Sequence, residues 1–223
     1  MDLRYRCLIL DHDDTAVDST SVIHYPAHVE IMRQLRPKIE PVSLEEWFRK
    51  NFEPGIMGYL KTDLAFTPTE MELEFSIWRE YNLKLIPRFY AGFINLLQEF
   101  KKKGGIVTVV SHSEVDIINT HYQSLGKDDG FSPDKIFGWS DDESKRKPSP
   151  YPVNQILSKF GLQKEEALIV DDLRPGVEMA KAAGVAVAAA GWAHQIPEIR
   201  SYMEENCQYY FTDIGNFRSF ILN

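Results

Sequence analysis

The sequence has few of the features that mark secreted or membrane-bound proteins. It contains only two cysteines, Cys7 and Cys207, in 223 residues, and their spacing matches no metal-binding or disulfide motif. No apolar run approaches the length of a membrane span, and the N-terminus lacks the pattern of a signal peptide. We see no internal repeat and no low-complexity segment. We therefore expect a cytoplasmic protein with no membrane partner.

The chain also has fewer basic than acidic residues. The chain has 25 lysines and arginines against 33 aspartates and glutamates, a formal net charge of −8. Its one basic triplet, Lys101 to Lys103, is typical of the last turn of a helix, where cations suit the helix dipole. Without a basic patch, we do not expect nucleic acid to be a partner. The hydrophobic fraction of 43% is that of an ordinary globular protein.

Short apolar runs alternate with amphipathic helical patterns over most of the chain. The runs predicted as strands are Cys7–Leu10, Ile106–Val110, Lys135–Trp139, Ala167–Val170, Val185–Ala190 and an edge strand at Gln208–Thr212. Strands that alternate with helices form a parallel sheet with right-handed crossovers and helices on its faces. The predicted fold class is therefore α/β, with a Rossmann-like sheet.

The stretch from residue 18 to residue 85 departs from this alternation. It carries helical spacing without a strand signal, with helices predicted at His28–Leu35, Ser43–Asn51 and Pro68–Tyr81. The large apolar residues predicted as buried there are Trp47, Phe48, Phe75 and Trp78. We predict a core domain of residues 1–17 and 86–223 and an inserted all-helical cap domain of residues 18–85.

A cluster of carboxylates follows the first predicted strand. Asp11, Asp13, Asp14 and Thr15 come directly after Cys7–Leu10. On an extended segment Asp11 and Asp13 project to the same side, so one can act as a nucleophile while the other transfers a proton. The alternative is an acidic turn whose side chains cap local amides.

Polar residues also follow two other predicted strands. Ser111 ends one of them, and Asp171 and Asp172 end another. Ligands of parallel sheets bind at the carboxyl ends of the strands, where these carboxylates can hold Mg²⁺. Lys147, which precedes a predicted helix, can neutralise a phosphoryl group there. The set therefore points to phosphoryl transfer.

These motifs resemble those of the haloacid dehalogenase-like superfamily, in the subgroup with a helical cap after the first strand. The segment Asp11-His12-Asp13-Asp14-Thr15 matches the first motif, D-x-D-x-T. Ser111 after an apolar strand matches the second, and Lys147-Pro148 the third. The acidic pair Asp171-Asp172 before a glycine-containing helix matches the fourth.

The resemblance implies a role for each matched residue. Asp11 would attack phosphorus and form an aspartyl-phosphate, and Asp13 would protonate the leaving oxygen and then activate water. Mg²⁺ would be held by Asp11, by the carbonyl group of Asp13 and by Asp172, with Asp171 beside it. The residues assigned to substrate binding are Ser111, His112, Lys147 and Thr15.

The resemblance also implies an activity. We expect a Mg²⁺-dependent phosphatase of small soluble phosphate monoesters, working as a monomer or dimer. The alternatives are a phosphomutase of the β-phosphoglucomutase type and a non-catalytic phosphate-binding member. The sequence departs from the family at Asp14, where glycine is usual, and this carboxylate either adds charge to the site or points to solvent. Six cap residues could anchor a substrate or be solvated helix residues: His24, Arg33, Arg49, Lys50, Lys61 and Arg79.

Overall fold

The computed structural model describes residues 3–126 and 130–222. The chain divides into two compact units. Met1–Val17 and Phe89–Asn223 form one, called the core unit, and Asp18–Arg88 forms the other, called the cap unit. The strands are β1 (Cys7–Leu10), β2 (Val17–Asp18), β3 (Arg88–Phe89), β4 (Ile106–Val110), β5 (Lys135–Phe137), β6 (Ala167–Asp171), β7 (Ala186–Ala190) and β8 (Tyr209–Phe211).

Six strands form one sheet in the core unit, in the order β5-β4-β1-β6-β7-β8. All five pairings between neighbours are parallel. In the centre of the sheet, Leu8 of β1 lies opposite Val107 of β4 and Leu168 of β6. The predicted Rossmann-like α/β class is confirmed, and β8 is an edge strand as expected.

The cap unit is helical between β2 and β3. It contains the π-helical segment Thr20–His24, α1 (Tyr25–Leu35), α2 (Leu44–Phe52), α3 (Ile56–Gly58), the π-helical segment Tyr59–Asp63 and α4 (Pro68–Lys84). The hydroxyl of Ser43 accepts a hydrogen bond from the Glu46 amide at the start of α2. Thr67 and Glu70 cap each other at the start of α4, so local sequence fixes where both helices begin.

The predicted burial of cap aromatics is only partly right. Trp47 and Phe48 are buried, whereas Phe75 is 43% exposed and Trp78 is half-buried. Phe75 precedes the buried Ile77 of α4 by two residues, which places it about 200° away around the helix. It therefore lies on the face opposite Ile77, and the prediction for Phe75 was wrong.

Six α-helices complete the part of the core unit that the structure describes. They are α5 (Phe93–Lys102), α6 (Val115–Gln123), α7 (Tyr151–Phe160), α8 (Arg174–Ala183), α9 (Pro197–Asn206) and α10 (Ile214–Leu222). Helix α10 was not predicted from the sequence. Phe100 of α5 and Phe217 of α10 are fully buried and belong to one apolar cluster with Leu8 and Leu10. Because side chains alternate along a strand, Cys7 and Ile9 point to the opposite face, so β1 is covered on both faces.

No helix within residues 3–126 and 130–222 is long and apolar enough to cross a membrane.

Candidate active site

The strand order brings the predicted catalytic residues together. β1 lies between β4 and β6, so the residues that follow these three strands meet at one edge of the sheet. Asp11 follows β1, Ser111 follows β4, and Asp171 ends β6 with Asp172 after it. The chain runs outward from β1 to β4 and β5 and then returns to β6 on the other side. Such a reversal point is where open parallel sheets bind ligands.

Lys147 joins two of these strand ends. Its ammonium group lies 2.7 Å from Oδ1 of Asp11 and 2.9 Å from Oδ2 of Asp171. All three residues are buried, so these are charge-assisted hydrogen bonds shielded from water. Lys147 therefore links the predicted nucleophile to Asp171, the last residue of β6.

Burial and the attraction between Lys147 and Asp11 shift the pKa values of these two residues in opposite directions. Burial raises the pKa of Asp11 well above its ordinary value, and the neighbouring carboxylates add to this rise, while the charge of Lys147 acts in the opposite direction. Burial would by itself lower the pKa of Lys147, but Asp11 and Asp171 raise it. The lysine is thus held as a cation, and it favours the ionised form of Asp11 that a nucleophile requires.

The buried carboxylates fit a divalent cation. One oxygen from each of Asp11, Asp171 and Asp172 lies within 4.8 Å of the others. Oδ2 of Asp172 accepts no hydrogen bond from any residue that the structure describes, and burial raises the pKa of this carboxyl group, with Asp171 adding to the effect. Three buried carboxylates against one lysine leave excess negative charge. Hard oxygen donors in this arrangement suit a hard divalent cation.

Asp13 is held by hydroxyl groups. Its Oδ2 accepts a hydrogen bond of 2.6 Å from Ser113 and a longer one of 3.4 Å from Ser111. Ser113 directly precedes Glu114, the N-cap residue of α6, so it does not cap that helix. Two serines spaced two apart after a strand, like Asp11 and Asp13, are the sequence signal for this pair of hydroxyl groups.

Thr15 and His112 contact other residues predicted for the site. The Thr15 hydroxyl lies 3.4 Å from Oδ1 of Asp172. Nε2 of His112 lies 2.9 Å from the carbonyl oxygen of Lys147. Burial, aided by the charge of Lys147, lowers the pKa of His112 to about 4, so the neutral ring donates to this carbonyl at neutral pH. The substrate-binding role of both residues stays a prediction.

Asp14 points into the protein and not to solvent. It is 5% exposed, and its φ of 58° lies in the left-handed region, which favours glycine. Its charge raises the pKa of Asp172. It also opposes the burial that lowers the pKa of His194, whose Nε2 lies 3.5 Å from Oδ2 of Asp172. The departure at Asp14 therefore adds a carboxylate beside the predicted metal ligands.

Three of the candidate cap residues are held by carboxylates of the cap unit. Arg33 binds Glu30, Arg49 binds Glu45, and Lys50 binds Asp63. These ion pairs favour the interpretation of the three as solvated helix residues. His24 accepts a 3.0 Å hydrogen bond from the Trp78 indole. None of these contacts identifies a substrate anchor.

A model of the haloacid dehalogenase-like hydrolases matches residues 8–190 of the chain. The chain belongs to this family. The match spans all four motifs, so the resemblance drawn from the sequence is confirmed, and with it the expectation of a hydrolytic enzyme.

Relatives in the family carry phosphatase names. The chain is 24% identical to a phosphoglycolate phosphatase of Haemophilus influenzae over 96% of its own length and 97% of that protein. It is 25% identical to the pyrophosphatase PpaX of Listeria monocytogenes, over 86% and 85% of the two chains. A haloacid dehalogenase-like hydrolase from Streptococcus pneumoniae has the same fold, with a TM-score of 0.76 at 16% identity over 97% and 98% of the two chains.

Proposed function

We propose that this protein is a Mg²⁺-dependent phosphatase that hydrolyses a small soluble phosphate monoester in the cytoplasm. The observation that carries the proposal is the contact of Lys147 with both Asp11 and Asp171 among buried carboxylates at the strand ends. The family membership and the names of the relatives support hydrolysis of a phosphate compound.

The first step is phosphoryl transfer to Asp11. A carboxylate oxygen of Asp11 attacks phosphorus, the bond between phosphorus and the leaving oxygen breaks, and Asp13 gives its proton to that oxygen. Lys147 and the Ser111 hydroxyl bind the phosphoryl oxygens. Mg²⁺ held by Asp11, the carbonyl of Asp13 and Asp172, with Asp171 beside it, would neutralise charge on the phosphoryl group.

The second step restores the enzyme. Asp13, now ionised, takes a proton from a water molecule as the water attacks the aspartyl-phosphate, and inorganic phosphate leaves. Asp13 is less buried than Asp11, which suits a group that must exchange protons with leaving group and water. Its contact with Ser113 and Ser111 keeps it near the phosphoryl site.

Phosphate release from a panel of compounds tests this proposal. The panel contains phosphoglycolate, p-nitrophenyl phosphate, β-glucose 1-phosphate and pyrophosphate, each with Mg²⁺ and with chelator. We expect Mg²⁺-dependent release that Asp11→Asn abolishes and that Asp213→Asn, a change to an exposed residue, leaves intact. Release by Asp11→Asn at the unmodified rate would overturn the proposal. Isomerisation of β-glucose 1-phosphate without net release would identify a phosphomutase instead.

A further inference from the structure

Ser113 contacts two residues of the proposed mechanism at once. Its hydroxyl donates to Oδ2 of Asp13 at 2.6 Å. Its backbone amide donates to the Ser111 hydroxyl at 3.0 Å, and that hydroxyl in turn lies 3.4 Å from the same oxygen of Asp13. The side chain of Ser113 thus holds the proposed proton donor, and its backbone holds the hydroxyl proposed to bind phosphate.

The backbone of Ser113 is itself fixed. Its carbonyl oxygen accepts a 2.9 Å hydrogen bond from the Trp139 amide. A side chain at Gly138 would put a Cβ atom 2.6 Å from this oxygen, so only glycine permits such a close approach of the two segments. Ser113 is also 3% exposed. A buried hydroxyl on a fixed backbone offers Asp13 one hydrogen-bond direction.

The bond to Ser113 constrains the orientation of the Asp13 side chain. Asp13 is only partly buried, and a carboxylate near the surface samples several rotamers. A short hydrogen bond from a hydroxyl to a carboxylate is among the stronger protein hydrogen bonds. It selects one orientation of the carboxyl group, and general acid catalysis depends on such orientation.

We propose that Ser113 is a positioning residue that holds the carboxyl group of Asp13 in the orientation needed to protonate the leaving oxygen. The proposal rests on the proposed function, because it assigns Ser113 to the proton-transfer step of that reaction. Ser113 touches neither the phosphorus nor the leaving group in this scheme. It acts through Asp13, and its loss leaves Asp11, Lys147 and the acidic pair in place.

The dependence on leaving group tests this role. An alkoxide needs a proton as it departs, whereas p-nitrophenolate is stable without one, so a misplaced acid penalises alkyl esters selectively. The value of kcat/KM covers the steps up to formation of the aspartyl-phosphate and therefore includes this protonation. We would measure it with p-nitrophenyl phosphate and with an alkyl phosphate such as phosphoglycolate, for Ser113→Ala, Ser113→Thr and the exposed control Ser219→Ala.

We expect Ser113→Ala to lower kcat/KM about tenfold for the alkyl ester and less than about threefold for the aryl ester. Such a loss is a fraction of the roughly 10²- to 10⁴-fold effect of a general acid. Ser113→Thr should restore part of the alkyl activity, and Ser219→Ala should change neither value. The ratio of the two values does not depend on how much of the enzyme is folded, so a poorly folding variant still gives a result.

An equal loss for both esters would overturn the proposal and leave Ser113 with a structural role only. The same conclusion follows if Ser113→Ala lowers kcat/KM for neither ester. Either result leaves the proposed function standing, provided that the unmodified protein hydrolyses both esters and Asp11→Asn does not. If the unmodified protein releases no phosphate from either ester, the proposed function fails first and the Ser113 proposal fails with it.

Discussion

Replacing Lys147 with methionine should destabilise the protein strongly. The lysine is 6% exposed, and its ammonium group contacts Asp11 at 2.7 Å and Asp171 at 2.9 Å. Removing one partner of a buried ion pair costs about 3–5 kcal/mol, because it leaves an uncompensated buried charge. Here two carboxylates lose the same partner, so we expect the upper end of that range, about 5 kcal/mol. Since a domain is stabilised by about 5–15 kcal/mol in total, the variant should be marginally stable.

The loss of stability in Lys147→Met should depend on pH. The pKa of Lys147 is raised in the folded protein, so its contribution to stability is complete below the unfolded pKa of about 10.4 and is lost as the pH rises through the folded value. The folded pKa of the buried Asp11 lies above its unfolded value of about 3.9 even beside Lys147, and loss of the lysine should raise it further. Asp11 is therefore less destabilising in acid, where it takes up a proton. The difference in free energy of unfolding between Lys147→Met and the unmodified protein should therefore become smaller at low pH. It should also become smaller at high pH, where Lys147 loses its charge.

Urea unfolding followed by circular dichroism measures this gap. The free energy of unfolding of Lys147→Met should be compared with that of the unmodified protein and of Lys102→Met, which replaces an exposed lysine. Lys102→Met should lie within about 0.5 kcal/mol of the unmodified protein. A cost of less than about 1 kcal/mol for Lys147→Met at pH 7 would refute the reasoning, because it would mean that Asp11 and Asp171 do not need the lysine.

Two further substitutions test other parts of the structure. Asp14→Gly should raise the free energy of unfolding by about 1 kcal/mol, because glycine adopts the left-handed backbone at no cost. Titration with Mg²⁺ should also show a changed apparent affinity, since a carboxylate near Asp172 is removed; an unchanged affinity would place Asp14 outside the metal's influence. Burial lowers the pKa of His28 from 6.5 to about 4, so protonation of the unfolded chain should remove about 3 kcal/mol of stability as the pH falls from 6.5 to 4. His28→Phe should remove this contribution, so its free energy of unfolding in urea should fall less between pH 7 and pH 4.5 than that of the unmodified protein. An equal fall in the two proteins would contradict the prediction.

The centre of the fold could be predicted from sequence because its signals are local. Cys7–Leu10 and Ile106–Val110 are uninterrupted apolar runs, and both are strands with the predicted bounds. The carboxylates that follow β1 and end β6 were placed by one topological rule, that parallel strands present their carboxyl ends at the same edge of the sheet. Ser43 and Thr67, which cap α2 and α4, likewise bond to amides only three residues away.

The features that could not be predicted from the sequence depend mostly on residues far away in the chain. Phe75 is an apolar residue of a type that is usually buried, but its exposure depends on which face of α4 other helices cover. The proposed role of Ser113 depends on its contact with Asp13, one hundred residues earlier in the chain. The direction of the Asp14 side chain depends on a left-handed backbone conformation that glycine, and not aspartate, usually indicates.

Trapping the phosphorylated enzyme tests the central claim most directly. The protein is mixed with a small phosphate ester and Mg²⁺, quenched in acid within milliseconds, digested and analysed by mass spectrometry. We predict a phosphoryl group on Asp11, at a level that falls as substrate is exhausted, and none in Asp11→Asn or in the presence of chelator. Turnover with no phosphoryl group on Asp11, or with the group on another residue, would contradict the assignment of Asp11 as the nucleophile.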